Sequence, residues 1–136
     1  MDKIPYWDQS FSVHIAELDR QHQLLFRTVA ELHHALRTGR ADSVDNNVIQ
    51  YVIQYATEHF AAEERLMQQY DFPGLAAHRL EHETFSQKLA EFNLFNLAGK
   101  PDVPPHFLAF LQTWLREHVL KTDKEYSAFL NARGVY

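Results

Sequence analysis

The sequence predicts an all-α protein whose four main helices form an up-down-up-down four-helix bundle. Three observations carry this prediction. Apolar residues recur three and four positions apart in four separate segments, no useful length of chain alternates with period two, and the breaks between segments are short. Short connections favour antiparallel neighbours. The 136 residues suffice for one domain with a real core and are too few for two ordinary domains.

The N-terminal arm and the helices follow in order. Residues 1–15 hold aromatic side chains without a sustained helical period, so we expect an ordered arm laid against the domain. The first helix is predicted over about 16–38, ending before Gly39. Asp42 and Ser43 are candidate N-caps of the second helix. The later helices are predicted over about 43–70, 74–97 and 104–121, with a short terminal helix over 124–132.

Six polar residues interrupt the apolar stripes: His22, His59, Glu63, His78, His82 and His118. They lie early, late, early and late in the four successive helices, so an antiparallel bundle brings all of them to one end. Burying such groups without partners costs roughly 1 to 3 kcal/mol each, a sum comparable to the stability of a small domain. A bound metal ion removes this cost. The pattern therefore predicts a metal site.

Asp123 does not fit simple helical periodicity. It follows His118 by five residues, which corresponds to about 140° around a regular helix. Both side chains can face the core only if the helix ends, bends or widens between Val119 and Thr122.

The composition excludes several classes of protein. With 13 basic and 18 acidic residues, the net charge of −5 argues against nucleic acid or an anionic membrane surface as the main partner. The absence of cysteine excludes Cys-ligated zinc, iron–sulfur clusters and thiol nucleophiles. The N-terminus has no signal-like apolar run, and the longest uncharged stretch, residues 46–57, is too short and too polar to span a bilayer. We expect a cytoplasmic protein that is not an integral membrane protein.

Five segments give the chain a resemblance to a known family. They are WD (7–8), DRQHQLLF (19–26), HFAAEE (59–64), HRLEH (78–82) and WLREHVLKTD (114–123). With these segments the chain resembles the hemerythrins, most closely the single-domain bacterial members called bacteriohemerythrins. The resemblance covers nearly the whole chain and supports the same bundle.

The resemblance implies a non-haem di-iron centre. His78, His82 and His118 would bind one iron, and His22 and His59 would bind the other. Glu63 and Asp123 would bridge the two ions together with a solvent-derived oxygen. Assigning Asp123 in this way predicts the helix irregularity described above.

Reversible dioxygen binding for storage, transport or delivery is the function that the resemblance implies, without enzymatic activity. The iron with two imidazoles keeps an open position, and an apolar pocket around it limits loss of a reduced oxygen species. Leu115 and Phe60 are candidate pocket walls, although each residue could equally be ordinary core. Tyr126 is a candidate hydrogen-bond partner of a bridging carboxylate. An oxygen-consuming acceptor protein of unknown identity is a candidate partner.

Three alternatives stay open. A sensor of dioxygen, nitric oxide or redox state could use the same irons and act through a separate partner protein. A ferritin-type di-iron oxidase needs two Glu-x-x-His strings, whereas the chain offers only Glu31 to His34, far from the cluster. A zinc hydrolase could use the string H-x-x-E-H with Glu81 as general base, but it leaves the other histidines unexplained.

Overall fold

A computed structural model of the chain describes residues 7–39 and 46–136, and for residues 46 and 47 it describes the backbone alone. The helices are α1 (Ala16–Arg37), α2 (Asn46–Gln69), α3 (Leu75–Leu97), α4 (Val103–Trp114) and α5 (Asp123–Asn131), with a π-helix over Leu115–Thr122. No strand occurs in the described ranges, so the all-α bundle is confirmed. The predicted N-caps Asp42 and Ser43 lie outside these ranges. None of the described helices has the length and apolar character needed to cross a bilayer.

Local sequence signals place the ends of the helices. The first helix ends just before Gly39, whose φ of 72° lies in the left-handed region that glycine adopts without steric cost. A five-residue connection over 70–74 joins α2 to α3 and contains the predicted breakers Pro73 and Gly74. The fourth helix has proline in its first turn, where a missing backbone N–H costs no helical hydrogen bond. These short connections hold neighbouring helices antiparallel.

The chain remains helical from Val103 to Asn131, where the sequence had predicted a helix ending near residue 121 and a separate terminal helix. Leu115, Thr122 and Asp123 all have right-handed helical backbone angles. The Asp123 N–H donates to the His118 carbonyl five residues earlier, as in a π-helix. The wider turn brings residues five apart onto one face. The irregularity expected between Val119 and Thr122 is therefore a widening of the helix, without a break.

The polar layer of the bundle lies between two groups of apolar side chains. The inner apolar cluster lies on one side of the layer and includes Leu25, Val29, Val52, Phe60, Phe85, Leu111, Leu115 and Val119. The end apolar cluster contains Val13, Ile15, Leu18, Ala62, Met67, Tyr126 and Leu130. Along α1, Leu18 precedes His22 and Leu25 follows it, so the histidine lies between the clusters. Apolar packing therefore keeps water from both sides of this layer.

The N-terminal arm is tied to the first and last helices. The Asp19 carboxylate accepts hydrogen bonds from the Ser12 hydroxyl at 2.5 Å and the Val13 N–H at 2.8 Å. The Ser127 hydroxyl donates to the Val13 carbonyl at 2.6 Å, and the Asn131 amide donates to the His14 carbonyl at 3.0 Å. The described part of the predicted arm is thus an ordered cover over one end of the bundle.

Changing the length of the π-helix tests its role. Deleting Lys121, an exposed residue, makes Asp123 the fourth residue after His118, which faces the same side in a regular α-helix. We expect the deletion variant to keep its helical content and the metal content of the parent chain. Inserting one alanine after Lys121 turns Asp123 a further 100° or so away and should lower metal content sharply. Equal metal content in the parent chain and both variants, by elemental analysis, would contradict this account.

Candidate metal centre

Seven side chains converge in the polar layer, and all seven are buried. They form two sets whose members each offer a ligand atom within 4.8 Å of the others. The larger set is Glu63, His78, His82, His118 and Asp123, and the smaller set is His22, His59, Glu63 and Asp123. The structure thus brings together every residue that the sequence and the resemblance proposed as a metal ligand.

The two carboxylates belong to both sets, and each divides its oxygens between them. Glu63 Oε2 lies 3.4 Å from His59 Nε2 and 3.6 Å from His22 Nε2, whereas Oε1 lies 3.1 Å from His82 Nε2. Each oxygen therefore faces the imidazoles of one set.

Asp123 shows the same division. Its Oδ2 lies 3.1 Å from His22 Nε2, whereas Oδ1 lies 2.9 Å from both His78 Nε2 and His118 Nε2. The arrangement could hold one cation in each set, with both carboxylates shared between the sets.

Tyr126 contacts one of these carboxylates. Its buried hydroxyl donates to Glu63 Oε2 at 2.5 Å. Burial and the nearby Glu63 and Asp123 charges raise the pKa of Tyr126 well above its usual value, so the hydroxyl keeps its proton and remains a donor. The hydrogen bond proposed for Tyr126 is present, and it fixes the direction of the Glu63 carboxylate.

Two further polar partners orient histidines of the layer, and sequence periodicity did not find them. The His59 Nδ1–H donates to the Gln21 side-chain oxygen at 2.5 Å. The His82 Nδ1–H donates to Glu64 at 2.7 Å, and the Arg79 guanidinium donates to the same carboxylate at 3.0 Å. Hydrogen bonds of this kind fix the tautomer that presents Nε2 to a metal.

A third partner lies beside His118. Glu81 Oε1 is 3.5 Å from His118 Nδ1 and accepts a hydrogen bond from the Thr122 hydroxyl at 3.3 Å. Glu81, the general base of the hydrolase alternative, thus lies behind a histidine of the larger set. Adjacency to the metal-facing positions was the available signal for Gln21, Glu64 and Glu81, since each is next to one in sequence.

Aromatic rings pack against the larger set. The Phe60 ring stacks on the His82 imidazole with centroids 3.8 Å apart and planes 6° apart, and Trp114 stacks on His118 at 3.9 Å and 10°. Leu115 is fully buried in the inner apolar cluster together with Phe60. Both candidate pocket walls therefore belong to the apolar surroundings of the layer, and Phe60 lies flat against the larger set.

In the metal-free protein, two histidines of the layer, His22 and His78, carry protons at neutral pH. Burial lowers the pKa of His22, but the Asp123 and Glu63 carboxylates beside its ring outweigh burial and raise the pKa to about 9. Burial also lowers the pKa of His78, but the nearby Asp123 and Glu63 carboxylates outweigh burial and raise the pKa to about 10. Burial raises the pKa of Glu63, yet the surrounding histidines hold it well below its ordinary value. Two imidazolium ions thus balance two carboxylates.

The residues fit a pair of metal ions. Atoms of all these side chains except His59 are buried without a hydrogen-bond partner, including the Nε2 atoms of His22, His78, His82 and His118 and both oxygens of Asp123. Unpaired buried polar atoms are costly, and ligation satisfies them together. The donors are imidazoles and carboxylates, which suit iron and other first-row metals. The larger set has five donors and shares both carboxylates with the smaller set, whereas a closed structural zinc site has four ligands of its own.

The fold and the site together define a metal-binding four-helix bundle in which each pair of antiparallel helices contributes ligands to one end. The model of the Hemerythrin HHE cation binding domain family matches residues 13–130. The chain belongs to the hemerythrin family.

Individual relatives and solved structures agree with this assignment. The chain is 32% identical over 121 residues to a bacteriohemerythrin of Stenotrophomonas maltophilia (strain R551-3), covering 89% of this chain and 78% of that protein. It is also 32% identical to a hemerythrin chain of Sipunculus nudus, over 91% of this chain and 92% of that one. A crystal structure of wild-type hemerythrin superposes with a TM-score of 0.83 at 29% identity, covering 94% of this chain and 98% of that chain.

Metal loading should release protons. His22 and His78, with pKa values of about 9 and 10, carry protons at pH 7 and must lose them to become ligands. Adding ferrous ion anaerobically to metal-free protein at pH 7 should therefore release about two protons per chain, measured with a pH indicator in weak buffer. The overall loading constant should fall about tenfold per displaced proton for each unit decrease in pH. Full loading without proton release would contradict the assigned charges. The control is the same addition of ferrous ion to protein already loaded with iron, which should release no protons.

Proposed function

We propose that this protein binds dioxygen reversibly at a non-haem di-iron centre and so stores, transports or delivers oxygen. The unequal division of imidazoles between two sets that share both carboxylates is the observation that carries the proposal. Two ferrous ions, held by these residues, would supply the electrons for reversible binding of dioxygen.

The three histidines of the larger set would hold one iron, and His22 and His59 would hold the other. With one imidazole fewer, the second iron would keep room for an external ligand. Glu63 and Asp123 would span both ions, as supported by the separate directions of their oxygens. The Tyr126 hydroxyl would keep Glu63 in this orientation.

Water exclusion favours release of the ligand over irreversible oxidation. The inner apolar cluster borders the layer with fully buried Leu115 and buried Phe60. Side chains of this kind admit a small apolar molecule and offer no proton to a reduced one. A histidine-rich donor set also supplies less negative charge than a carboxylate-rich one, which disfavours the high-valent iron that an oxidase needs.

Iron content and optical spectra test the proposal. We expect two irons per chain, and a visible band that appears when the reduced protein meets oxygen and disappears when oxygen is removed. The His59→Ala variant should lose the band together with iron, whereas His34→Ala, which alters an exposed histidine of α1, should behave as the parent chain.

Each contrary outcome has a distinct meaning. One zinc per chain without a visible band would overturn the di-iron assignment and support the hydrolase. Two irons that oxidise without a reversible band would overturn oxygen carriage and support the alternative of a sensor or redox protein acting through a separate partner.

Enlarging the apolar surroundings should shorten the life of the oxygenated protein. Leu115→Ala removes part of a fully buried side chain beside the layer and leaves space that water can enter. We expect irreversible oxidation, followed by decay of the visible band, to accelerate by roughly tenfold. Leu80→Ala is the matched control, because Leu80 on α3 is 64% exposed. Equal decay rates in the two variants would show that Leu115 is not a wall of the ligand pocket.

A further inference from the structure

One buried polar atom near the smaller set has no assigned role. Outside the seven metal-facing side chains, two buried side-chain polar atoms in the described ranges lack a hydrogen-bond partner, namely Trp7 Nε1 and the Tyr55 hydroxyl. An unpaired buried hydroxyl costs stability that a phenylalanine at the same position would not cost. A group retained at such a cost calls for a partner that binds there at another time.

Tyr55 lies beside the part of the layer that has fewer ligands. It precedes His59 by one turn of α2, and its ring stacks on the His59 imidazole with centroids 5.4 Å apart and planes 15° apart. The same ring packs against the inner apolar cluster. The side chain therefore lies between His59, a member of the smaller set, and the inner apolar cluster, and its hydroxyl is buried. The smaller set is the half of the centre in which the open position is proposed.

The hydroxyl is a proton donor under all ordinary conditions. A tyrosine hydroxyl ordinarily keeps its proton across the physiological pH range and can donate it to a hydrogen bond. Among the described residues the Tyr55 hydroxyl has no hydrogen-bond partner. The Tyr55 proton is thus available to a group that is not part of the chain.

We infer that the Tyr55 hydroxyl donates a hydrogen bond to the small ligand, dioxygen or a compact anion, that occupies the two-histidine half of the centre. This inference rests on the proposed function and deepens it. An external ligand that gains negative charge when it binds there would be stabilised by a neutral donor, which cannot lose its proton to the ligand as easily as an acid can. Tyr55 would thereby slow ligand dissociation while the apolar residues exclude water.

Azide is a suitable probe, because it is a small linear anion whose infrared stretch responds to hydrogen bonding. The test compares iron-loaded parent chain, Tyr55→Phe and Tyr51→Phe by azide titration and infrared spectroscopy, and compares dioxygen dissociation by stopped flow. Tyr51 is the matched control, since it lies one turn earlier on α2 and is 45% exposed. Loss of a hydrogen bond to a charged partner predicts roughly tenfold or greater weakening of azide binding.

The expected result is specific to Tyr55→Phe. This variant should bind azide more weakly, release dioxygen faster and shift the azide stretch, whereas Tyr51→Phe should match the parent chain. In the metal-free form, Tyr55→Phe should melt at the same or a higher temperature, because it removes an unpaired hydroxyl.

Two outcomes would overturn the inference. Unchanged azide affinity and stretch in Tyr55→Phe would leave the tyrosine a packing residue, even if the melting temperature rose. Equal changes in both variants would show a general effect of altering α2. Failure of the parent chain itself to bind azide or dioxygen after loading with two irons would instead overturn the proposed function, so the two failures are distinguishable.

Discussion

The rest of this structure depends on the burial of five imidazoles and two carboxylates in one layer. Apolar clusters on both sides exclude water, so the charges of Glu63 and Asp123 must be balanced within the layer. Protons on His22 and His78 provide that balance in the absence of metal, and bound cations would take their place. The antiparallel order of the helices, the π-helix and the Tyr126 hydrogen bond all serve to bring these groups to one level and direct their ligand atoms inward.

Much of the layer could be predicted from the sequence, because a histidine on an apolar stripe is a periodic signal. His59 and Glu63, like His78 and His82, are four residues apart and share a helix face. Asp123 is different: its spacing opposes the assignment, and the resemblance to a family required the helix to end, bend or widen, of which the structure shows widening. Periodicity identifies the face of a regular helix, whereas a π-helix depends on hydrogen bonds that the pattern does not encode.

The partners of the histidine Nδ1 atoms could not be predicted in the same way. Gln21 and Glu64 lie beside metal-facing positions but about 100° off their stripes, where a polar residue is ordinarily solvated. Whether such a side chain turns back toward a ring depends on rotamers and on the neighbouring helix, as with Arg79, which binds Glu64 from α3. The break expected before residue 124 was likewise absent, since Thr122 and Asp123 keep helical angles through the wider turn.

The hairpin of α2 and α3 has a consequence for how the chain folds. Four of the seven metal-facing residues, His59, Glu63, His78 and His82, lie within it and are joined by the short connection over 70–74. Closing a short loop costs less chain entropy than closing a long one, so these residues can meet before distant segments do. His22, His118 and Asp123 come from the outer parts of the chain. We therefore expect the hairpin to assemble first, and an ion captured there would act as a nucleus onto which the first and last helices condense.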